Sequence, residues 1–226
     1  MTGILWIGGF GLIGLVIFLF WYYSADNRAK RAMKAVPRRA IAEVIEGEQA
    51  RVVGDVVIAE PLSAPLSGRA CACWTVTVEQ HVSRGKSSYW KLLVKESEAA
   101  DFFLTDGTGK AIVRTSHTQA LLEGDGRGGS GILSEPSEAL TEFLAQRGHD
   151  TKGWFFNKRI RYREGVAEPG ETVAVVGTGR WERDPDEEAS AGEGYREARM
   201  PKRLVMGPPA DGKPLMLSDE RDVTSA

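Results

Sequence analysis

Few side chains in this 226-residue chain are spaced to do chemistry. Cys71 and Cys73 sit two apart in the alternating segment Cys71–Glu79, and positions i and i+2 of a strand point the same way. With His81, eight residues beyond Cys73, the thiols could chelate zinc or build a Cys/His nucleophile. The C-x-x-C spacing of a zinc knuckle is missing, and nothing marks either thiol as one of lowered pKa. The plainer reading is two small half-buried residues beside a core Trp74. Asp101 and Asp106 offer two carboxylates for acid/base work. In Asp106-Gly-Thr-Gly109, however, Asp106 reads as a turn former whose side chain bonds nearby backbone N–H groups. Glu164, Glu168 and Glu171 surround a Gly/Pro turn and read as solvated. Ser67-Gly68-Arg69 is the loop most suited to binding: a hydroxyl, a small residue and a guanidinium beside a strand can hold an anion or a partner's carboxylate. The structural alternative is an Arg that bonds backbone carbonyls and pins the loop to the fold. No residue is assigned a catalytic, metal-binding or cofactor role.

The elements that must position these residues begin with an apolar run. Ile4 to Tyr23 carries no charge, and twelve of its twenty residues are Ile, Leu, Val or Phe. At 1.5 Å rise per residue, about 20 apolar residues cover a bilayer core of about 30 Å. Ile4, Leu12 and Phe18 then lie within the bilayer, with Trp21 opening an interfacial aromatic belt. Arg28, Lys30, Arg31, Lys34, Arg38 and Arg39 follow at once. Positive flanks stay in the cytoplasm, so the N-terminus is expected outside and the main domain in the cytoplasm. A cleaved signal peptide would begin with a positive region, and no Lys or Arg precedes Arg28. Gly8, Gly11 and Gly14 are spaced by three, so they give no GxxxG dimer motif. The formal net charge of −2 implies no global attraction to nucleic acid. Two cysteines are compatible with a reducing compartment.

Past Pro37, which interrupts a helical spacing of Ala29, Ala32, Met33, Val36 and Ala40, the texture turns to short strands. Ala50–Ile58 is β-rich. In Cys71–Glu79 the face Ala72, Trp74, Val76 and Val78 is expected in the core. Tyr89–Glu96 can pair back as a hairpin across a Ser83–Ser88 loop. Asp101–Val113 reads as strand, Asp-Gly turn, strand. Gly124–Gly131 reads as a flexible loop without the phosphate-loop pattern. Ser137–Gln146 reads as a helix, with Leu140, Phe143 and Leu144 on one face and Gly148 as its cap. Ile160–Arg163 and Thr172–Val176 are further strands. Glu182–Glu197 reads as an acidic loop, and Lys202–Met206 and Pro214–Leu217 as edge strands.

Three segments in order resemble the GIDE-type ("beside a membrane") domain of the membrane-bound E3 ubiquitin ligase family. They are Pro65-Leu-Ser-Gly-Arg-Ala-Cys71, Phe103–Val113 and Arg161–Val173, and they follow an N-terminal membrane helix. The resemblance covers about residues 45 to 180. The family commonly places this domain between two membrane helices, with a RING finger at the far end, so the resemblance implies a partner-binding domain beside a membrane. It does not carry ligase chemistry over. A RING needs about eight Cys or His ligands, and the chain holds two Cys and the three histidines His81, His117 and His149.

The expected fold is mainly β: a β-barrel-like, OB-like domain with one or two short helices, preceded by a single transmembrane α-helix. The expected organisation is 1–25 transmembrane helix, 26–46 basic juxtamembrane linker, 47–181 GIDE-like β domain, and 182–226 acidic loop and tail. The expected contact surface is Ser67, Gly68, Arg69, Asp106, Gly107 and Gly109. The expected partners are the lipid bilayer and a protein, with no cofactor and no nucleic acid. The alternatives are a ligase-like or hydrolytic enzyme, and an OB-like binder of single-stranded nucleic acid in which Trp90, Lys91, Arg84 and Lys86 stack and neutralise the strand.

Overall fold

In a computed structural model of the chain, the structure describes residues 25–124, 126–130, 137–149, 159–184 and 202–225. The apolar run with Ile4, Leu12, Phe18 and Trp21 lies outside the described residues, as does most of the acidic segment after Asp184. Among the described residues, no helix is long and apolar enough to cross a membrane.

Five strands close into a barrel. β1 (Gln49–Val57) pairs on one edge with β6 (Phe102–Thr105) and on the other with β11 (Thr172–Arg183). β6 forms a hairpin with β7 (Lys110–Val113), and β7 runs parallel to β12 (Lys202–Gly207). β12 returns antiparallel to β11 and completes the ring. Closure gives every barrel strand a paired neighbour on each side. The alternation of β1 explains its place: Ala50, Val52 and Val56 enter the barrel core, whereas Val53 faces out. Phe102, Leu104, Val113, Val173, Val175, Leu204 and Met206 fill the same interior. Each fully buried side chain of this size contributes about 1.5–3 kcal/mol. Two glycines allow the closure. A Cβ on Gly54 would lie 2.4 Å from the Thr105 carbonyl oxygen, where β1 meets β6. A Cβ on Gly177 would lie 2.6 Å from that of Gly207, where β12 leaves β11.

Lys202–Met206, expected at an edge, is therefore an interior strand of the ring. β13 (Leu215–Ser218) takes up the same edge of β11 further along and carries β8 (Thr118–Leu121) in parallel as the outermost strand.

Two long excursions from the barrel build a second sheet. The first supplies the short ribbon β2 (Leu62–Ser63) with β3 (Ala70–Cys71), then β4 (Cys73–Arg84) and β5 (Ser87–Ala99). The second supplies β9 (Gly126–Ser130), α2 (Glu138–Ala145) and β10 (Ile160–Ala167). The sheet order is β5-β4-β10-β9. Gly126–Ser130, expected as a loop, is thus an edge strand, held by its backbone ladder to β10. α2 begins as expected: the Ser137 hydroxyl accepts from Leu140 N–H at 3.3 Å. Its Leu140, Phe143 and Leu144 bury against Trp74, Val76, Val78 and Ile160. The expected Ser83–Ser88 loop shrinks to a two-residue Gly85-Lys86 turn with Gly85 at φ 58°, because the strands stay paired out to Arg84 and Ser87.

The segment expected as a basic linker packs onto the barrel through Ala29, Met33, Ile41 and Val44. α1 (Ala25–Ala35) stops ahead of Pro37, and its Ala29 and Met33 bury against Val53, Ala174, Val176 and Val223 on the barrel's outer face. Val223 belongs to the short helix α3 (Arg221–Thr224). Lys30 pairs with Glu220 and Lys34 with Asp222, so part of the basic cluster is neutralised within the fold.

Candidate functional site

Residues 62–71 leave the barrel as the β2–β3 ribbon, and its turn carries Ser67, Gly68 and Arg69. Gly68, at φ 70°, needs glycine's freedom to close the turn, and its N–H donates to the Ala64 carbonyl at 2.9 Å. The Ser67 hydroxyl oxygen accepts from Arg69 Nε at 3.3 Å, and Arg69 Nη1 meets Glu168 Oε2 at 3.0 Å. Arg69 is therefore oriented by a carboxylate and a hydroxyl, and about a third of its side chain remains exposed (32%). Glu171 Oε2 in turn accepts from Glu168 N–H at 2.9 Å across the Gly170 turn.

The reading of Glu164, Glu168 and Glu171 as solvated is corrected for the first. Glu164 is 1% exposed within β10, and its Oε1 accepts from Leu66 N–H at 2.8 Å. A carboxylate this deep is compensated by such bonds. Glu164, through Leu66, and Glu168, through Arg69, thus hold the turn at both ends. Sequence reasoning missed both roles, because the clamps lie about a hundred residues downstream of the turn.

Asp106 does what a turn former should. Oδ1 accepts from Thr108 N–H at 2.8 Å and from the Thr108 hydroxyl at 2.7 Å, with Gly107 at φ 82°. Its other oxygen accepts from Ile41 N–H at 2.7 Å, tying the 3-10 turn Ile41–Glu43 to the β6–β7 hairpin. Partial burial alone would raise its pKa. The N–H donors of Ile41, Thr108 and Gly109 and the Thr108 hydroxyl outweigh that and hold it below the usual carboxylate range. Gly109 lies under Ile41, where a Cβ would come within 3.0 Å of the Ile41 side chain. Asp106 also lines a groove of about 350 Å³ with Arg38, Arg39, Asp55 and Thr172. Ser67, Gly68 and Arg69 do not line that groove, so the expected contact surface consists of two separate turns.

The two thiols part company. A bend at Ala72 breaks the alternation, so Cys71 enters the core under α2 while Cys73 and Ala72 enter the barrel core. The shared strand face expected for them does not form. Both are free and fully buried. Burial, reinforced by Glu164, pushes Cys71 up to about 11, and burial pushes Cys73 up to about 12. Neither is a thiolate nucleophile near neutral pH. Among the described residues, no three His, Cys, Asp or Glu side chains gather as a metal site. Asp101 faces Arg114 at 2.7 Å and accepts from Thr115 N–H at 2.8 Å, a different set of donors from those that hold Asp106. Despite some burial, those donors lower its pKa as well.

A groove of about 660 Å³ runs between α1, β8 and the polar face of β4 and β5. Thr75 and Thr77 form its floor, as their alternation opposite Trp74 requires. Its charges of both signs include the pairs Lys30 with Glu220 and Lys95 with Asp26, the latter at 3.3 Å. Arg84, Lys86, Trp90 and Lys91 lie on the β4–β5 hairpin, away from the barrel strands. On the barrel, Lys110 covers the Phe103 ring at 3.8 Å.

No family model matches this chain, and no curated protein or solved structure is significantly similar to it.

Proposed function

We propose that this chain is a membrane-anchored, non-catalytic binding module that holds a closed β-barrel and its flanking sheet against the cytoplasmic face of a bilayer. The apolar run Ile4–Tyr23 is the single-pass anchor, with the N-terminus outside, and the Ser67–Arg69 turn is the contact surface for a protein partner. The observation that carries the reading is the state of the reactive groups. Cys71 and Cys73 are buried as protonated thiols, Asp106 is consumed by a turn, and Arg69 is a pre-oriented, partly exposed guanidinium. A fixed Arg beside Glu168 suits a partner carboxylate, since bidentate Arg–carboxylate bonds combine strength with direction. The resemblance to the GIDE-type domain agrees with a partner-binding role beside a membrane. The ring order β1-β6-β7-β12-β11, with β7 and β12 parallel, supports an OB-type barrel. The hairpin position of Trp90 and its neighbouring cations argues against the stacking groove on the barrel that a single-stranded nucleic acid would use.

Proximity labelling from the full chain in its own membranes tests the reading. A reproducible partner should be labelled by the natural chain and lost or reduced at least fivefold with Arg69→Glu. Labelling that is identical for the two chains would move the contact surface away from this turn.

A further inference from the structure

We infer that the β4–β5 hairpin tip is a second membrane contact, a fin that inserts into the interface of an anionic bilayer beside the anchor. The inference rests on the anchoring proposed above. Tyr89, Trp90 and Leu92 are the large apolar side chains exposed on this hairpin, at 48, 37 and 51%. The register puts them on both faces of the ribbon: Trp90 opposite His81 and Leu92 opposite Glu79 on one, Tyr89 opposite Val82 on the other. A protein partner would cover one face. A surrounding medium suits two, and Trp and Tyr are the residues enriched at membrane interfaces.

Charge and reach point the same way. From Gln80 to Lys95 the chain carries Arg84, Lys86, Lys91 and Lys95 and no acidic residue. The carboxylates that flank this run are both held, Glu79 by Arg161 at 2.6 Å and Glu96 by Arg147 at 2.6 Å, and Arg161 also lies over the Trp90 ring at 4.2 Å. Basic residues near a bilayer surface bind anionic lipid, about fivefold in affinity for each Lys or Arg. Read from Met33 back to Asp26, α1 leaves the barrel and reaches Lys95 on β5, at 3.3 Å. Read from Ala99 to Ser87, β5 leaves the barrel in the same sense and passes Lys95 on its way to the tip. The apolar run ends at Tyr23, three residues before Asp26, which places the bilayer boundary within about 10 Å of Asp26. Tyr89 lies six strand residues beyond Lys95, about 20 Å nearer the tip. The tip therefore extends past the Asp26–Lys95 pair, the point of the described fold where the proposed anchor joins it.

The test uses the full chain in bilayers, with a nitroxide on Tyr89→Cys and, as a reference, on Glu46→Cys at the far end of the barrel. The native thiols, buried and pushed up to about 11 and 12, stay unlabelled. In vesicles containing phosphatidylglycerol, the label at position 89 should be open to oxygen and closed to a water-soluble nickel chelate, while position 46 stays aqueous. Arg84→Glu/Lys86→Glu/Lys91→Glu should return position 89 to water without releasing the chain. A chain that resists alkaline carbonate, yet keeps position 89 as aqueous as position 46, overturns the fin and leaves the anchor standing. So does a label immobilised by single-stranded DNA but not by the vesicles. Release of the chain by carbonate overturns the anchoring, and the fin with it.

Discussion

The residues that look most chemical are the ones the fold uses most completely. Asp106 bonds four donors from two elements, so its loss is felt beyond its own turn. Asp106→Ala leaves the Ile41 N–H unpaired and is predicted to destabilise the fold by about 1–3 kcal/mol, read as a lower urea midpoint. The pH dependence has a definite sign. A carboxyl held below its unfolded value stabilises fully above that value, about 3.9, and the stabilisation is lost as pH falls toward the folded pKa. Asp106→Asn should therefore flatten the acid limb of the stability curve below about pH 4. An unchanged limb would mean that Asp106 is not charged against these donors. This turn was legible in Asp-Gly-Thr-Gly because its partners are local. The Ile41 bond was not, being 65 residues away.

At the scale of elements, alternation and punctuation read well and closure did not. Trp74, Val76 and Val78 fall on the buried face their period requires, and Leu140, Phe143 and Leu144 give α2 its stripe. The thiol pair failed because a single bend at Ala72 reverses the alternation, and nothing in Ala70–Trp74 signals it. Gly126–Ser130 failed because glycines signal turns, whereas here the backbone ladder to β10 alone makes the strand. Lys202–Gly207 was legible as a strand, but its place between β7 and β11 was not, since ring order depends on contacts across nearly the whole chain. Gly54 is the sharpest probe of that closure. Gly54→Ala puts a methyl 2.4 Å from the Thr105 carbonyl oxygen. The contact is with backbone, which cannot swing aside, so a loss of about 1–3 kcal/mol is predicted. A thermal midpoint equal to that of the natural chain would mean that β1 and β6 do not approach this closely.

At the scale of the whole molecule, the docked α1 is the decisive feature. A flexible basic linker would let the barrel wander from the membrane. Instead, Met33 is fully buried and Asp26 pairs with Lys95, so the barrel and the hairpin sit within a few residues of the proposed anchor. The sequence shows the basic cluster but not its acidic partners Glu220 and Asp222, which arrive at the far end of the chain. The anchoring claim is tested most directly by alkaline carbonate extraction of membranes carrying the full chain, alongside a variant that begins at Ala25. The full chain should stay with the membrane pellet while the shortened chain appears in the supernatant. Full-length chain in the supernatant, with its first 24 residues intact, would contradict the account.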